Sequence, residues 1–218
     1  MIHKIKEFIN KILATDPKPN SKIVVLDPAS LEGLGQLGAD SPFELRTIGL
    51  FTEVVEEKVA EVAHALLLLN ETNRTCEESE KQPVEFYIST YGGNADDMFA
   101  LYDIMRQVRE ETEIHTIGVG KVMSAGVPLL AAGTKGKRKI GKNCRVMIHS
   151  VVAGNHGPIH NLINEMEAVE QIQKMYINCL VSETNMTKKD VKKMLERNVN
   201  VYLSAEEAVE LGIADIIV

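Results

Sequence analysis

The segment from Gly118 to Ser150, GVGKVMSAGVPLLAAGTKGKRKIGKNCRVMIHS, is the part of the chain from which the rest is best interpreted. Within it, Ser124 precedes an apolar run from Val127 to Ala132, a pattern that predicts a buried helix opened by the serine. Serine is also favoured as a helix N-cap, so a purely structural role is the alternative interpretation. A helix N-terminus stabilises negative charge as well, and the two roles are compatible.

The same segment delivers a histidine. A basic loop from Lys135 to Lys142 leads into the predicted strand Arg145–Ile148, and His149 follows directly. Serine alone is a weak nucleophile and needs an adjacent imidazole to accept its proton. Ser124 and His149 are therefore the candidates for nucleophile and base. The surrounding sequence VMSAG is not G-x-S-x-G, which disfavours the nucleophile turn of α/β-hydrolases.

Strands and helices alternate on both sides of this segment. The predicted strands are Arg46–Phe51, Val84–Ser89, His115–Val119, Arg145–Ile148 and Ile213–Val218. The predicted helices are Val54–Asn70, Ala95–Arg109, the one opened by Ser124, Asn161–Val181, Lys188–Glu196 and a last one with a Ser204/Glu207 capping box. Such alternation predicts an α/β layered fold with right-handed crossovers.

Composition excludes several classes of function. The formal charge of −7, from 24 basic and 31 acidic residues, argues against general nucleic-acid binding, which needs a basic surface. The chain has no run of eighteen apolar residues and its N-terminal lysines interrupt any secretory signal, so we expect no membrane span or export. Three distant cysteines, Cys76, Cys144 and Cys179, fit a reducing cytoplasm and predict no disulfide scaffold and no zinc site.

The other histidines are given structural interpretations. His115 falls within a strand pattern and is interpreted as a core residue. His156 and His160 have the spacing of a metal-binding pair on a helix, but Gly157 and Pro158 lie between them. We therefore interpret both as loop residues and expect no metal site.

Several motifs, in the same order along the chain, resemble those of the ClpP family, the proteolytic subunits of the Clp protease. They are GKVMSAG, RVMIHS, an SPGG-like turn at Ser89 to Gly93, the run Leu101-Tyr102-Asp103, AAGTKGKR at Ala131 to Arg138, and LSAEEAVELGIAD at Leu203 to Asp215. The resemblance covers Arg46 to the C-terminus, and so many spaced motifs make chance unlikely as their source. It implies a ClpP-like protease domain over residues 43–218. Residues 1–42 are then an N-terminal extension, an amphipathic helix followed by a linker.

The resemblance also assigns roles within the site. It implies that Ser124 is the nucleophile, that His149 is the base, and that the amides of Gly93 and Ala125 form an oxyanion hole. Tyr91 stands where the family has the proline of its turn. The third member of the triad departs from the family, because its aspartate motif ERD reads Glu196-Arg197-Asn198 here. We take Asn198 as the third member, with Asn200 as a second candidate two residues further on.

The resemblance further implies the fold and the activity: a ClpP/crotonase-like layered fold of repeated β-β-α or β-α units with Asn161–Val181 as a protruding handle helix. The expected function is a cytoplasmic serine endopeptidase that hydrolyses unfolded polypeptides inside stacked heptameric rings, fed by an AAA+ unfoldase. The chain has no G-x-x-x-x-G-K-[ST] loop, so we expect no cofactor of its own, and ATP only through that partner.

Two alternatives remain open at this point. An asparagine in the triad offers the imidazolium no full negative charge, so the chain could be a catalytically weak or inactive scaffold subunit of a mixed ring. An acyl-CoA enzyme of the crotonase superfamily would share the fold, but those enzymes do not place Ser and His in these motifs.

Overall fold

The computed structural model describes residues 45–197 and 199–218. The predicted N-terminal extension, residues 1–42, therefore lies outside the described residues, and so does Asn198. No helix of the described part is both long and apolar enough to cross a membrane.

One sheet of seven strands forms the centre of the described chain. The strands are β1 (Thr47–Leu50), β2 (Val84–Thr90), β3 (Ile114–Met123), β4 (Lys139–Ile140), β5 (Arg145–Ile148), β6 (Val201–Leu203) and β7 (Ile216–Ile217). The order β1-β2-β3-β4-β7 is parallel throughout, and β6 adds an antiparallel pair to β5. A mostly parallel sheet joined by helices is the arrangement that the alternating pattern predicts, and the α/β fold class is confirmed.

Strand β3 has two different neighbours on one side. Its first half pairs with β4 at Ile117 and Gly118, and its second half pairs with β5 from Lys121 to Met123. Between the halves, Gly120 takes a φ of +66°, and the register with β2 shifts between Ile88 and Thr90. This irregularity extends the strand beyond the predicted Val119 and carries the chain up to Ser124.

Within the described residues the chain forms six helices. They are α1 (Glu56–Arg74), α2 (Ala95–Val108), α3 (Gly126–Ala131), α4 (Ile159–Glu183), α5 (Lys188–Leu195) and α6 (Ala205–Glu210). All six residues of α3 are buried, since it carries no polar side chain. The predicted Ser204/Glu207 capping box of α6 is confirmed, and Thr187 with Asp190 forms a second one at α5.

Helix α4 supports the site at one end and is exposed at the other. Its C-terminal part is buried at Tyr176, Ile177 and Leu180. Its N-terminal part exposes apolar side chains, with 68% of Ile159, 49% of Ile163 and 67% of Met166 accessible to solvent. The expected handle helix is therefore present, two residues longer at each end than the predicted Asn161–Val181.

Residues of three further motifs, Tyr102, Arg138 and Asp215, belong to buried or partly buried polar clusters rather than to the site. Glu183 at the end of α4 accepts hydrogen bonds from Tyr102 Oη (2.9 Å) and from Arg109 (2.8 and 2.9 Å). Burial alone raises a carboxyl pKa, but these donors leave the pKa of Glu183 below its ordinary value. Arg138 of the AAGTKGKR motif pairs with Asp215 near the C-terminus. The bonds to Glu183 fasten α2 to α4, and Arg138, which also donates to the carbonyl of Glu183 over 2.7 Å, fastens the start of β4 to the end of α4.

Several predicted boundaries were wrong for identifiable reasons. Helix α1 begins at Glu56 rather than Val54, because the N–H and C=O of Val54 bond to the Gly92–Asn94 turn. It continues to Arg74, four residues past the predicted Asn70. The closing strand is limited to Ile216–Ile217, and the short strands β4 and β6 were not predicted.

Candidate active site

The candidate nucleophile and base lie at the ends of two neighbouring parallel strands. Ser124 follows β3 and His149 follows β5, and the register pairs Met123 with Met147. Parallel strands present their carboxyl ends at one edge of a sheet, where α/β proteins commonly bind ligands. Ser124 Oγ lies 2.9 Å from His149 Nε2, within hydrogen-bond distance. The fold thus brings together two residues that are 25 positions apart in the sequence.

Ser124 sits in a sharp turn between β3 and α3. Its φ is +52°, and it is the one non-glycine residue of the described chain with a positive φ. This left-handed conformation is unfavourable for a residue with a side chain and occurs mostly where the surrounding structure imposes it. The Ser124 N–H donates to the carbonyl of Met147 over 2.8 Å, which ties the turn to β5. The turn aims the hydroxyl at His149.

The helix-capping interpretation of Ser124 is wrong. The N-cap of α3 is Ala125, and no side chain caps that helix. The predicted helix opened by Ser124 starts instead at Gly126, after the turn. The hydroxyl of Ser124 is thereby left for His149.

A double-glycine turn lies beside the serine. Gly92 and Gly93 have φ values of +104° and +153°, which a residue with a side chain rarely adopts. A Cβ on Gly92 would lie 2.6 Å from Ser124 Cβ, and one on Gly93 would lie 2.2 Å from the carbonyl oxygen of Val54. Both positions therefore require glycine, because neighbouring atoms leave no room for a Cβ and because the backbone conformation disfavours a side chain. Tyr91 precedes the two glycines.

Two backbone amides near Ser124 have no acceptor among residues 45–197 and 199–218. Within the turn, Val54 N–H donates to Gly92 O and Asn94 N–H donates to Val54 O, each over 2.8 Å, which leaves the Gly93 amide unused. The Ala125 amide precedes α3 and likewise makes no bond. Both residues border the same cleft as Ser124. Free amides placed next to a nucleophile can hold the negative oxygen of a tetrahedral intermediate.

Helix α4 holds the site from one side. Tyr176 Oη donates to the carbonyl of Ser124 over 3.2 Å, and Gln173 Oε1 accepts from the N–H of Val151 over 3.1 Å, two residues beyond His149. Burial raises the pKa of Tyr176 above its ordinary value, so the phenol keeps its proton and can donate. Sequence reasoning missed both residues, since helical spacing marks Tyr176 only as an apolar position of α4 and does not mark the polar Gln173 at all.

The third member of the triad can be examined at Asn200. The antiparallel register of β5 and β6 pairs Ile148 with Val201. Continued by one residue, it places Asn200 across from His149, and directly opposite residues share one face of a sheet. Asn200 is exposed, and no hydrogen bond joins it to His149 in the described part of the chain. Asn198, the first candidate, lies outside the described residues.

A cleft of about 300 Å³ opens beside Ser124. Its lining includes the candidate residues Gly93, Ser124, Ala125 and His149. The rest of the wall comes from the start of α2, from the segment that follows His149, and from α4. A substrate in this cleft would contact the hydroxyl, the imidazole and both free amides together.

The remaining histidines and cysteines form no site among the described residues. No group of three or more His, Cys, Asp or Glu side chains there could hold a metal ion. His115 is half-buried rather than in the core, because its ring bonds to exposed Glu113 over 2.8 Å. His156 lies in a loop as expected, whereas His160 belongs to the first turn of α4, since this helix begins directly after Pro158. Cys144 and Cys179 are buried free thiols, and burial raises the pKa of each to about 11.

Comparison with known proteins identifies the family of the chain. Residues 40–218 match the family described as Clp protease. The ATP-dependent Clp protease proteolytic subunit 2 of Corynebacterium jeikeium (strain K411) is 32% identical over 174 residues, 79% of this chain and 78% of that protein. The proteolytic subunit 1 of Leifsonia xyli subsp. xyli (strain CTCB07) is 33% identical over 170 residues, 78% of this chain and 81% of that protein.

A third relative matches this chain over a similar length. The ATP-dependent Clp protease proteolytic subunit 1 of Prochlorococcus marinus (strain MIT 9312) is 31% identical over 172 residues, 79% of this chain and 83% of that protein. The family match spans the whole described part of the chain. The chain therefore belongs to the Clp protease family, a family of serine peptidases.

Proposed function

We propose that the chain is a serine endopeptidase that hydrolyses peptide bonds of unfolded polypeptides within a ring-shaped chamber. The observation that carries the proposal is the 2.9 Å approach of Ser124 Oγ to His149 Nε2 in a cleft bordered by two free amides. A nucleophile, a base in contact with it and oxyanion donors are the parts that acyl transfer needs.

Each residue has a defined part in the proposed reaction. His149 Nε2 accepts the proton of Ser124 Oγ as the oxygen attacks the peptide carbonyl. The amides of Gly93 and Ala125 hold the oxygen that becomes negative. His149 then gives its proton to the leaving amine, and a water molecule activated by the same imidazole hydrolyses the acyl-enzyme. This mechanism uses no metal and no cofactor of the chain itself.

The histidine needs a partner at Nδ1, and we propose that an asparagine supplies it. An amide oxygen can accept the Nδ1–H bond and so fix the tautomer that faces Ser124. The motif ERN supports Asn198, while the register of β5 and β6, continued by one residue, supports Asn200. On the register argument, Asn200 is the residue that we expect to act.

Variants at the two positions decide between them. We expect Asn200→Asp to raise the turnover of a small peptide ester by about tenfold, because a carboxylate stabilises the imidazolium more than a neutral amide does. Asn200→Ala should lower turnover, whereas Asn198→Asp and Asn198→Ala, the matched controls, should stay near wild type. The converse pattern, with effects only at position 198, would restore the ERN assignment.

Assembly is part of the proposal. The relatives are named as subunits of an ATP-dependent protease. We propose that this chain likewise forms stacked heptameric rings in the cytoplasm and receives unfolded substrates from an AAA+ unfoldase, which supplies the ATP hydrolysis. The exposed apolar side chains of α4 support this, because a surface stripe of Ile159, Ile163 and Met166 is favourable only when a partner covers it.

The proposed role of this stripe in assembly can be tested by introducing a charged side chain into it. Met166→Glu should split the assembly into smaller species, because it buries an unpaired charge in the interface. Ala168→Glu adds the same charge about 200° around the helix and should leave the assembly intact. Light scattering at micromolar concentration measures both. A wild-type mass near the 24.1 kDa of one chain, or an unchanged Met166→Glu assembly, would contradict the proposal.

The second candidate is a weak or inactive scaffold subunit of a mixed ring. One observation favours it: both candidates for the third triad position are asparagines. In this case the chain would assemble with an active relative, and its own Ser124 would not turn over substrate. Hydrolysis of a short fluorogenic peptide by the purified chain alone separates the two functions, since only the peptidase should release the fluorophore.

A further inference from the structure

The cleft beside Ser124 combines an apolar wall with one acidic side chain. Its wall includes Met98 of α2 and Val169, Ile172 and Tyr176 of α4. Asp96 borders the same cleft; among the described residues that line it, Asp96 is the one carboxylate and none is a lysine or an arginine. A long substrate side chain entering here would contact apolar surface along its stem and could meet a negative charge at its end.

The carboxylate of Asp96 is free to bind. Among the described residues it makes no ion pair and accepts no side-chain hydrogen bond, and the side chain is exposed. The backbone of Asp96 is nevertheless fixed, because its N–H donates to Asn94 Oδ1 over 2.7 Å at the start of α2. Asn94 directly follows Gly93, so the capped turn fixes the backbone of Asp96 close in the chain to the free amide of that glycine.

We propose that Asp96 determines specificity, and that the cleft prefers a substrate residue with a long aliphatic stem and a cationic end, lysine or arginine, as donor of the scissile carbonyl. This inference rests on the proposed function and adds the chemical class of the preferred residue. Lysine and arginine lay their methylene stems along apolar surface while their charged ends reach a polar partner. A carboxylate facing a guanidinium can form two parallel hydrogen bonds.

If the role of Asp96 were purely structural, its substitution should have a different effect. Acidic residues in the first turn of a helix stabilise it through the helix dipole, whatever else they contact. Asp97 occupies the next position of the same turn, and its N–H also bonds to Asn94 Oδ1, over 3.1 Å. Asp97 does not border the cleft, so it provides a matched control with the same charge and the same place in the helix.

The experiment compares two fluorogenic peptides that differ only in the residue before the scissile bond, arginine in one and citrulline in the other. Citrulline keeps the shape of arginine and lacks its charge. We expect wild type to have a higher kcat/KM for the arginine peptide. Asp96→Asn should lower the ratio of kcat/KM for the arginine peptide to kcat/KM for the citrulline peptide by about threefold to tenfold, the effect expected from the loss of one partly exposed ion pair. Asp97→Asn should keep the wild-type ratio.

The outcomes separate the inference from the proposed function. An unchanged ratio in Asp96→Asn, or an equal fall in Asp97→Asn, overturns the role of Asp96 while leaving the peptidase assignment in place. If no variant hydrolyses either peptide, the proposed function fails. The inference is then tested by measuring peptide binding to the Ser124→Ala protein by fluorescence anisotropy. Tighter binding of the arginine peptide than of the citrulline peptide, with the difference lost in the double variant that also carries Asp96→Asn, supports the inference. Equal binding of the two peptides to the Ser124→Ala protein overturns it.

Discussion

Replacing Ser124 with alanine should lower peptidase turnover by about four to six orders of magnitude. The hydroxyl is the atom of this side chain that lies within hydrogen-bond distance of His149 Nε2, at 2.9 Å, and alanine lacks it. Serine and alanine differ by this one atom, so the strained turn at φ +52° is kept and the free energy of unfolding should change little. The measurements are kcat for a fluorogenic peptide and the thermal midpoint of unfolding.

The matched control is Ser150→Ala. Ser150 also borders the cleft, directly after His149, and is half-buried like Ser124. It has no hydrogen bond to His149 in the described structure, so its removal should leave most of the activity. Turnover near wild type in Ser124→Ala, or a greater loss in Ser150→Ala, would show that the nucleophile is misassigned.

Gly93→Ala should have the second largest effect, and on two quantities at once. The new Cβ would meet backbone atoms of Val54 at 2.2 to 2.8 Å, at a φ of +153° that alanine rarely adopts. Relief requires the turn to move, which should lower the free energy of unfolding by about 2 to 4 kcal/mol. Because the same movement displaces the Gly93 amide, kcat/KM should fall by about a hundredfold or more.

Gly154→Ala provides the comparison for this prediction. Gly154 lies in the loop after His149, and a Cβ there meets no atom within 4 Å. Its substitution should change neither stability nor activity measurably. A Gly93→Ala protein that is destabilised as expected and yet keeps its kcat/KM would mean that the amide of Gly93 does not bind the oxyanion.

The sequence predicted the pair Ser124 and His149 because local signals mark both. Two glycines and an apolar run define the serine turn, and a strand of four residues ends directly at the histidine. Because β3 and β5 are neighbouring parallel strands, with Met123 paired to Met147, the residues that follow them lie at the same edge of the sheet. The α/β class followed in the same way from alternation along the chain.

Other parts of the site left no local signal. Strand β6 has three residues, too few for an alternating pattern, yet its register with β5, continued by one residue, is what points to Asn200 as the neighbour of His149. Tyr176 bonds to a carbonyl 52 positions earlier in the chain, and Gln173 to an amide 22 positions earlier. Such contacts depend on how α4 packs, and a helical spacing of apolar residues does not specify them. For the same reason the sequence pattern predicts Val54 as the first residue of helix α1, whereas Val54 bonds to the glycine turn.

The central claim is that Ser124 is an activated nucleophile, and covalent labelling tests it most directly. The purified chain is incubated with a fluorophosphonate, and intact mass and peptide mapping identify the modified residue. We predict one adduct per chain, located on Ser124, absent from Ser124→Ala and strongly slowed in His149→Ala, while Ser150→Ala labels like wild type. A wild-type protein that stays unmodified under conditions that label an active serine peptidase, or an adduct on another serine, would contradict this account.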